Sequence, residues 1–367
     1  PMLNGTAVRE ARRDHQGLRR VSEDPEVHLL AAIAWLERAQ DATPDDGVAR
    51  AYSPAWNSYR RASGWQASYP ETTGYIIPTF FDAAAALERP DLRERATRMA
   101  DWEIAVQIPD GSVMGGIIGE QAVPTPAVFN TGQVIFGWLR AHRETGSEAY
   151  VQAARRAGDF LLGCQDETGA FARGHSQFAK GSTTTYCSRV AWSLCQLGVA
   201  IEEERYVEAG RKNIEFCLTR QRPNGWFEDN CLTDATRPLL HTIAYAARGI
   251  LEAGLLLGEE RYVDAAHRVV EALRARQRGD GGLAGRFTSD WSGAAEWSCV
   301  TGDAQTAIVA QKLESHLGDP RLREMADGLC RFVMGTQNLD SPDPGLAGGI
   351  KGSFPFDGDY GRYELLN

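Results

Sequence analysis

The sequence predicts an all-α fold in which six helical hairpins close into a ring, the (α/α)6 toroid. The first observation is a repeat: a glutamine recurs at intervals of 56 to 67 residues, with an aromatic residue five positions before it in five of six cases. The second is a glycine four positions after four of these glutamines. The third is an alternation of amphipathic and uniformly apolar segments. The repeating glutamines are Gln40, Gln107, Gln165, Gln221, Gln277 and Gln337.

The segment before each glutamine predicts an outer helix with one buried face. From Tyr206 to Gln221, for example, apolar residues recur with the 3.6-residue period of an amphipathic α-helix. A glycine in the following turn ends such a helix, because glycine adopts left-handed backbone conformations without strain. In the first and last repeats this glycine comes later, and we assign Gly47 and Gly345 to the position.

The segments after these turns predict inner helices. Strings such as TGQVIFGWLRAH and LLHTIAYAARGILEAGLLL have no clear polar face, which is typical of a helix that is buried on all sides. We therefore expect a ring of inner helices inside a ring of outer helices. After Gln337 a long loop uses most of the remaining chain, so we expect the sixth inner helix to be short or missing.

Chain length alone favours two or three domains, whereas the repeat favours one. The chain has 367 residues, and average domains have roughly 150. No linker rich in Pro, Gly or Ser and no shift in composition divides the sequence. We therefore expect residues 23–367 to form a single α/α toroid domain, preceded by an N-terminal extension over residues 1–22.

The composition argues against several classes of protein. Lys and Arg number 39 and Asp and Glu number 49, and the resulting net charge of −10 disfavours a nucleic-acid partner. No apolar run approaches the roughly 20 residues that span a bilayer, and the N-terminal sequence has no apolar signal segment. Seven cysteines without C-x-x-C spacing predict reduced thiols. These features predict a cytoplasmic protein with no membrane span.

The repeated pattern resembles known toroid proteins. Aromatic-x4-Gln-x3-Gly at the outer-helix ends is similar to the QW motif of terpenoid cyclases and to the hairpins of six-hairpin glycosidases. The strings YPETTGYIIPT, WSCVTGDAQTAIV and FPFDGDYGRYELLN resemble bacterial (α/α)6-toroid proteins of exopolysaccharide biosynthesis. This resemblance covers the chain from about Pro25 onward. It implies the toroid fold and a role in polysaccharide production, and it specifies no reaction.

Loops that run from outer to inner helices meet at one end of a toroid, which we call the mouth. Functional side chains are expected there and on the first turns of inner helices. The candidate catalytic residues are Glu71, Tyr186, His241 and Asp303. The candidate substrate-binding residues are Trp56, Trp65, Tyr75, Asn130, Arg189, Trp226, Trp297 and Lys351. Asp290, Glu296 and Asp357 are reserve carboxylates, and Arg60, Glu120 and Lys180 are further polar residues of these loops.

Each candidate also has a structural interpretation. Glu71 and Asp303 lie where the first turns of inner helices are expected, and there an acid stabilises the helix dipole. His241 is equally consistent with a core histidine, and the tyrosines and tryptophans with core packing. Arg189 on a buried helix requires an anion, which is either an acidic side chain of the ring or a substrate carboxylate.

The leading hypothesis is a carbohydrate-active enzyme that acts on a bacterial poly- or oligosaccharide, acidic glycans included. Aromatic rings beside carboxylates and amides suit the apolar faces and the hydroxyls of sugars. A hydrolase would use two carboxylates, and Glu71 with Asp303 is the expected pair. A lyase or epimerase would use a Tyr or His base and a group that neutralises a carboxylate. The candidates for that chemistry are Tyr186, His241, Asn130 and Arg189.

No cofactor or metal is predicted, and two other function classes stay open. The seven histidines are scattered and no nucleotide-binding motif is present. An isoprenoid or terpenoid cyclase-like enzyme would need an acidic D-x-D-D element, but the nearest string, TPDDG at 43–47, lacks the first Asp and predicts a turn. The remaining class is a non-catalytic glycan-binding component of a polysaccharide assembly system.

Overall fold

A computed structural model describes residues 5–57, 62–119, 121, 123–175, 183–231 and 233–366. Within these ranges the chain is mostly helical, and the helices alternate between an outer and an inner ring. The outer helices are α2 (Pro25–Asp41), α4 (Pro90–Val106), α6 (Glu148–Cys164), α8 (Glu204–Thr219), α10 (Glu260–Arg274) and α12 (Pro320–Thr336). The inner helices are α3 (Pro70–Ala86), α5 (Val128–Thr145), α7 (Ser188–Ile201), α9 (Leu240–Leu257) and α11 (Val300–Leu317).

The arrangement confirms the predicted (α/α)6 toroid with a missing sixth inner helix. Neighbouring inner helices pack side by side from α3 through α11, and each packs against the outer helix that follows it. The core lies between the two rings and includes Trp138 and Phe332, both fully buried. Among the described residues, none after Thr336 is helical. None of the described helices is both long and apolar enough to cross a membrane.

Local sequence sets the helix ends. Asp24 and Asp319 cap α2 and α12, because their carboxylates accept the backbone N–H groups of the first turn. Proline follows each cap at the first helical position, where the missing N–H is not needed. The inner helices α5, α9 and α11 end at Gly146, Gly258 and Gly318, each with a positive φ near 70°.

The repeated glutamines join each hairpin to the next. The Nε2 of Gln107 donates to Gly111 O in its own loop at 2.8 Å and to Ala153 O of the next outer helix at 3.0 Å. The other glutamines make the same pair of bonds. Gln337 donates to Gly348 O at 2.7 Å and back to His28 O of α2 at 3.2 Å. The last repeat is therefore bonded to the first, and the ring closes.

The repeated glycine is required because the loop touches the next outer helix. Gly111 has a φ of 92°, and a Cβ on it would lie 2.2 Å from Arg156 O. In the last repeat Gly348 takes this position, with a φ of 80°, so the assignment of Gly345 was wrong. In the first repeat Asp46 adopts the left-handed conformation and its carbonyl accepts from the glutamine. The assignment of Gly47 to this position was therefore wrong by one residue.

Short strands close the gap that the missing helix leaves. The first loop forms β1 (Ala51–Asn57) and β2 (Ala62–Trp65), and the C-terminal segment contributes β4 (Ile350–Lys351) and β6 (Leu365–Leu366). Together they make an antiparallel sheet in the order β2-β1-β6-β4. In a second pair β3 (Ser298–Cys299) lies against β5 (Ser353–Phe354). The two ends of the toroid sequence thus meet in one sheet.

The N-terminal helix α1 (Gly5–Asp14) packs against the same region. Its Ala7 and Ala11 are buried in a core cluster that also holds residues of α2 and α3. Asp14 accepts a 2.5 Å hydrogen bond from Lys351 Nζ, and both side chains are about 1% exposed. Asp14 also accepts from the backbone N–H of Phe356 at 3.0 Å. These contacts attach α1 to the C-terminal loop.

One buried acid yields a stability prediction. Glu103 of α4 is fully buried, and neither carboxyl oxygen has a hydrogen-bond partner in the described part of the chain. It lies four positions before Gln107, where the third and fifth repeats place Leu161 and Leu273. Burial, with a smaller contribution from Asp45, raises the pKa of Glu103 well above its usual 4.5. We expect Glu103→Leu to raise the free energy of unfolding by about 1–3 kcal/mol at about pH 7.

The gain in the free energy of unfolding of Glu103→Leu should increase with pH. Because the folded pKa of Glu103 is raised, the charge-dependent part of the penalty is absent below pH 4.5 and grows as pH rises from 4.5 to the folded pKa. Urea unfolding of the variant and the parent at several pH values measures this difference. Glu94→Leu, on the exposed face of the same helix, should change stability by less than about 0.5 kcal/mol. A loss of stability in Glu103→Leu would contradict the prediction.

Candidate functional site

The first turns of the inner helices and the loops before them enclose a cavity of about 520 Å³, the mouth cavity. All five inner helices, or the residues next to their first turns, contribute to it. The C-terminal loop covers the side where no inner helix stands. The titratable and amide-bearing side chains that line the mouth cavity are Arg50, Tyr69, Glu71, Tyr75, Asn130, His175, Tyr186, Cys187, His241, Tyr245, Asp359 and Tyr360.

Glu71 lies in the first turn of α3 and is held by a chain of hydrogen bonds. The hydroxyl of Tyr69 donates to Glu71 Oε2 at 2.5 Å. The side-chain amide of Asn130 in turn donates to the Tyr69 hydroxyl at 3.3 Å and to Met114 O at 3.2 Å. Burial raises the pKa of Glu71, although the Tyr69 bond and the charges of Arg189 and Arg50 oppose that shift. Glu71 is thus oriented and retains a proton more readily than an exposed glutamate.

His241 is the second residue of α9 and lies between two tyrosines. Its ring centroid is 4.8 Å from that of Tyr245 and 4.9 Å from that of Tyr360. The Tyr360 hydroxyl lies 3.3 Å from Nδ1. Burial and the positive charge of Arg189 lower the pKa of His241 to about 3. The imidazole is therefore uncharged near neutral pH and is available as a base.

Arg50 brings a positive charge to the cavity. Its Nη1 donates to Glu364 Oε2 at 3.1 Å and to Gln66 Oε1 at 3.0 Å. Glu364 also accepts from Asn57 and Gln66. These bonds fix the guanidinium beside the lining, although the Glu364 carboxylate balances part of its charge.

Two further side chains complete the lining. His175 is in the third loop, and its buried Nε2 has no hydrogen-bond partner among the described residues. Tyr186 packs edge-on against Phe129, with ring centroids 5.3 Å apart, and burial raises its pKa well above 10. A phenol with so high a pKa is a proton donor rather than a base near neutral pH.

The structure brings five of the predicted residues together and separates the rest. Glu71, Tyr75, Asn130, Tyr186 and His241 line the mouth cavity. Trp56, Trp65, Arg189, Trp226, Trp297, Asp303 and Lys351 do not. The reserves Asp290, Glu296 and Asp357 do not line it either. Arg60, Glu120 and Lys180 lie outside the described residues.

Asp303 has a structural role instead of a catalytic position in the mouth cavity. It is fully buried as the fourth residue of α11, and its Oδ1 accepts from the backbone N–H of Leu283 at 2.9 Å. The fourth residues of α3 and α5, Thr73 and Thr131, accept loop N–H groups in the same way. The other oxygen, Oδ2, has no partner within the described ranges, and burial raises the pKa of Asp303 well above its usual value. The side chain therefore holds a loop.

This placement gives a prediction for two variants. Asp303→Asn keeps the acceptor for Leu283 N–H, so we expect turnover within about threefold of the parent, whereas a catalytic acid contributes about 10²–10⁴-fold. Asp303→Ala removes the acceptor and should unfold more easily than Asp303→Asn by about 1–2 kcal/mol. Steady-state kinetics and urea unfolding of both variants measure these effects. A large loss of turnover in well-folded Asp303→Asn would overturn the structural assignment.

The predicted tryptophans mostly serve packing, and Lys351 is paired with the buried Asp14. Trp226 is 2% exposed and packs edge-on against Trp291 at 5.3 Å. Trp65 lies 5.0 Å from Trp35. Trp297 packs against Gly285 and Gly358, at whose Cα no Cβ would fit. Trp56 is exposed on β1, outside the lining. The aromatic lining that the structure describes consists of tyrosines and Phe129 instead.

Some functional candidates were missed or underweighted in the sequence. Arg50 was missed because it precedes β1 and only the sheet brings it to the cavity. Tyr69, His175 and Tyr360 belong to the mouth loops, so position alone could have selected them. Their partners, such as Asn130 for Tyr69, come from other repeats.

One group of side chains within the described ranges has the spacing of a metal site. His267, Glu271 and Asp319 place one ligand atom each within 4.8 Å of one another on the outer ring. Glu271 is already paired with Arg274 at 2.9 Å, and Asp319 with Arg321 at 2.5 Å. Because both carboxylates have arginine partners, this group is better explained as surface ion pairs.

Comparison with solved structures identifies the same fold in sugar-processing proteins. A sugar epimerase from a ruminal bacterium has a TM-score of 0.73 at 13% identity, over 98% of this chain and 94% of that one. The cellobiose 2-epimerase of Bacillus thermoamylovorans B4167 has a TM-score of 0.72 at 11% identity, over 99% and 95%. An unsaturated glucuronyl hydrolase from Bacillus sp. GL1 has a TM-score of 0.68 at 14% identity, over 92% and 94%. No protein-family model and no curated protein sequence matches the chain. What this chain shares with the three proteins is the (α/α)6 toroid.

Proposed function

We propose that the protein is a carbohydrate-active enzyme that binds a sugar in the mouth cavity and acts on it by proton transfer. The observation that carries the proposal is that one cavity is lined by both an uncharged His241 and Glu71, an acid of raised pKa. The shared fold with sugar epimerases and a glucuronyl hydrolase supports a sugar substrate. The sequence resemblance supports a bacterial poly- or oligosaccharide, and the cavity size suits its end.

The lining residues have distinct roles in this proposal. His241 removes a proton from a sugar carbon next to a carbonyl or carboxylate group, and the electron pair moves onto that oxygen. Arg50 stabilises the resulting oxyanion. In an epimerisation a protonated group on the opposite face, Glu71 or a tyrosine, returns a proton to the same carbon. In an elimination the electron pair instead expels the neighbouring glycosidic oxygen, which takes up the proton.

The geometry favours this chemistry over two-carboxylate hydrolysis. A glycosidase of that kind places two carboxyl groups on either side of the scissile bond. The expected partner of Glu71, Asp303, lies in the wall of the toroid and bonds a loop N–H. The other carboxylate of the described lining, Asp359, is exposed. An acid of raised pKa and an uncharged histidine can serve as the proton donor and the base of a lyase or an epimerase.

The cyclase alternative receives no support from the TPDDG turn. Asp45 accepts from Ser68 at 2.5 Å and from the backbone of Gly47, and Asp46 is paired with Arg98 at 3.0 Å. Both acids therefore hold the first loop. The mouth cavity also contains several charged and hydroxyl groups, whereas a cyclase pocket is expected to be mainly apolar.

A panel of neutral and acidic bacterial oligosaccharides tests the proposal by the mass of the products. Proton transfer predicts an epimer of unchanged mass or two fragments whose masses sum to that of the substrate. Repeating the reaction in D2O separates these outcomes, because epimerisation leaves deuterium on a carbon of the product. Gain of one water per cleavage would show hydrolysis and overturn the proposal. Binding without conversion would favour the non-catalytic class instead.

A further inference from the structure

A second cavity, of about 780 Å³, lies at the opposite end of the ring, and we call it the rear cavity. It is formed mainly by the C-terminal halves of the inner helices. Tyr75 lines both cavities, so the two are separated by a thin layer of side chains. The function proposed above makes no use of the rear cavity.

The rear cavity carries an excess of positive charge in a protein whose net charge is −10. Its lining includes four arginines, Arg140, Arg143, Arg189 and Arg248, and one acid, Asp82. Asp82 is paired with Arg140 at 2.7 Å. Within the described lining, three guanidinium groups are therefore left without a lining carboxylate.

Arg189 is the most deeply buried of these groups. It is 5% exposed, and its Nε donates to Gln133 Oε1 at 2.5 Å. Its Nη1 is buried and has no hydrogen-bond partner among the residues that the structure describes. The guanidinium carbon lies 4.8 Å from the Tyr245 ring centroid and 5.8 Å from that of Trp192. Aromatic faces and one neutral amide contact this charge, and the carboxyl group of Glu71, in the mouth cavity, acts on it through its charge. A buried guanidinium in such a setting needs an anion.

Arg248 is the second cation of the inner part of the cavity. Its guanidinium carbon lies 5.5 Å from the Trp192 ring centroid, so it shares that indole with Arg189. Its partner Glu252 accepts at 3.4 Å and is also bound to Lys312 at 3.1 Å. One carboxylate thus serves two cations. Two arginines are held close together with less negative charge than they require.

Helix dipoles do not explain these two positions. A cation is stabilised at the C-terminal turn of a helix, which accounts for Arg143 at the end of α5. Arg189, however, is the second residue of α7, and Arg248 is the ninth of α9. Their placement is unfavourable or neutral with respect to the dipole, so it calls for another anion.

We propose that the rear cavity binds an oxyanion between Arg189 and Arg248. Phosphate and carboxylate groups match the forked donors of arginine, and the apolar side chains around them suit the body of a small organic molecule. We infer a phosphate group, either free or carried by a sugar. The proposal goes beyond the function of the mouth cavity and does not depend on it.

Isothermal titration calorimetry of the full chain in chloride-free buffer tests this site. Inorganic phosphate, glucose 6-phosphate and glucose are titrated separately. We expect saturable binding of one phosphate group per chain and no binding of glucose. If glucose 6-phosphate binds about tenfold more tightly than phosphate, the ligand is a phosphorylated sugar; equal affinities indicate free phosphate. Absence of saturable binding for both phosphate compounds would overturn the proposal.

Variants locate the binding. Arg248→Met should weaken phosphate binding by about tenfold or more, while Arg143→Met, at the exposed rim of the same cavity, should change it by less than about threefold. Thermal unfolding checks that Arg248→Met is folded. If it is not, Arg248→Lys replaces it in the binding experiment, because lysine keeps the charge but loses the forked donors of the guanidinium group. His241→Ala in the mouth cavity should leave phosphate binding unchanged. Loss of binding in His241→Ala but not in the Arg248 variants would place the phosphate in the mouth and overturn the proposal.

Discussion

Replacing His241 by alanine should lower turnover of the sugar substrate by about 10²–10⁴-fold, with a smaller effect on KM. The expected reason is that His241 is the uncharged base of the mouth cavity and that water in its place is a far weaker base. Steady-state kinetics on the oligosaccharide that the panel identifies measures the effect. Far- and near-ultraviolet circular dichroism should show the parent fold, because one partly exposed side chain is removed.

Two comparisons make this prediction sharper. His316→Ala alters an exposed histidine that pairs with Glu260 at the far end of α11, and turnover should stay within about threefold of the parent. The second comparison is the dependence of kcat/KM on pH. Because the pKa of His241 is lowered to about 3, its protonation should not reduce kcat/KM between about pH 7 and pH 5, where an ordinary histidine titrates. Full activity of His241→Ala, or a loss that follows a pKa near 6.5, would contradict the assignment.

Replacing Lys351 by methionine should lower the free energy of unfolding by about 3–5 kcal/mol at about pH 7. The pair of Lys351 with Asp14 is fully buried, so the variant leaves a carboxylate without a cation. Its remaining hydrogen bond comes from the backbone of Phe356. The pKa of Asp14 in the variant should rise, and the loss of stability should shrink as pH falls toward 3.8, its usual value.

The double variant Asp14→Asn with Lys351→Met tests the cause of that loss. Asparagine keeps an acceptor for Phe356 N–H but carries no charge, so most of the lost stability should return. Arg98→Met breaks an exposed pair with Asp46 and should cost less than about 1 kcal/mol. Urea unfolding of all four proteins provides the comparison. A double variant as unstable as the single one would show that charge burial is not the cause.

The repeat allowed the fold to be predicted, because one physical requirement recurs in every hairpin. Each outer helix has to end beside the next one, and a glutamine with a glycine meets that requirement from within a few residues of sequence. The exceptions were the first repeat, in which Asp46 rather than Gly47 takes the position, and the last repeat, in which Gly348 rather than Gly345 contacts α2. In the last repeat the loop is longer than elsewhere, so spacing along the chain no longer identifies the residue that touches the neighbour.

The candidate site was predicted only in part, because the repeated topology places some of its residues and not others. Glu71, Asn130 and His241 belong to first turns of inner helices, so the topology alone brings them to the mouth. The fourth residue of α11 belongs to the same turn but points into the wall, which separates Asp303 from them. Lys351 is 337 residues from its partner Asp14, and no local pattern reveals such a pair.

The bonds from Gln337 to α2 mean that none of the described outer helices lies at an open end of the array. A linear stack of helical repeats can lose its terminal unit and unfold by fraying, since each unit contacts its neighbours alone. In this ring every hairpin has a neighbour on both sides, and opening any one of them breaks two interfaces. We therefore expect the toroid to unfold in a single cooperative transition. We also expect the mouth to keep its dimensions when it is empty, because its walls come from five different hairpins.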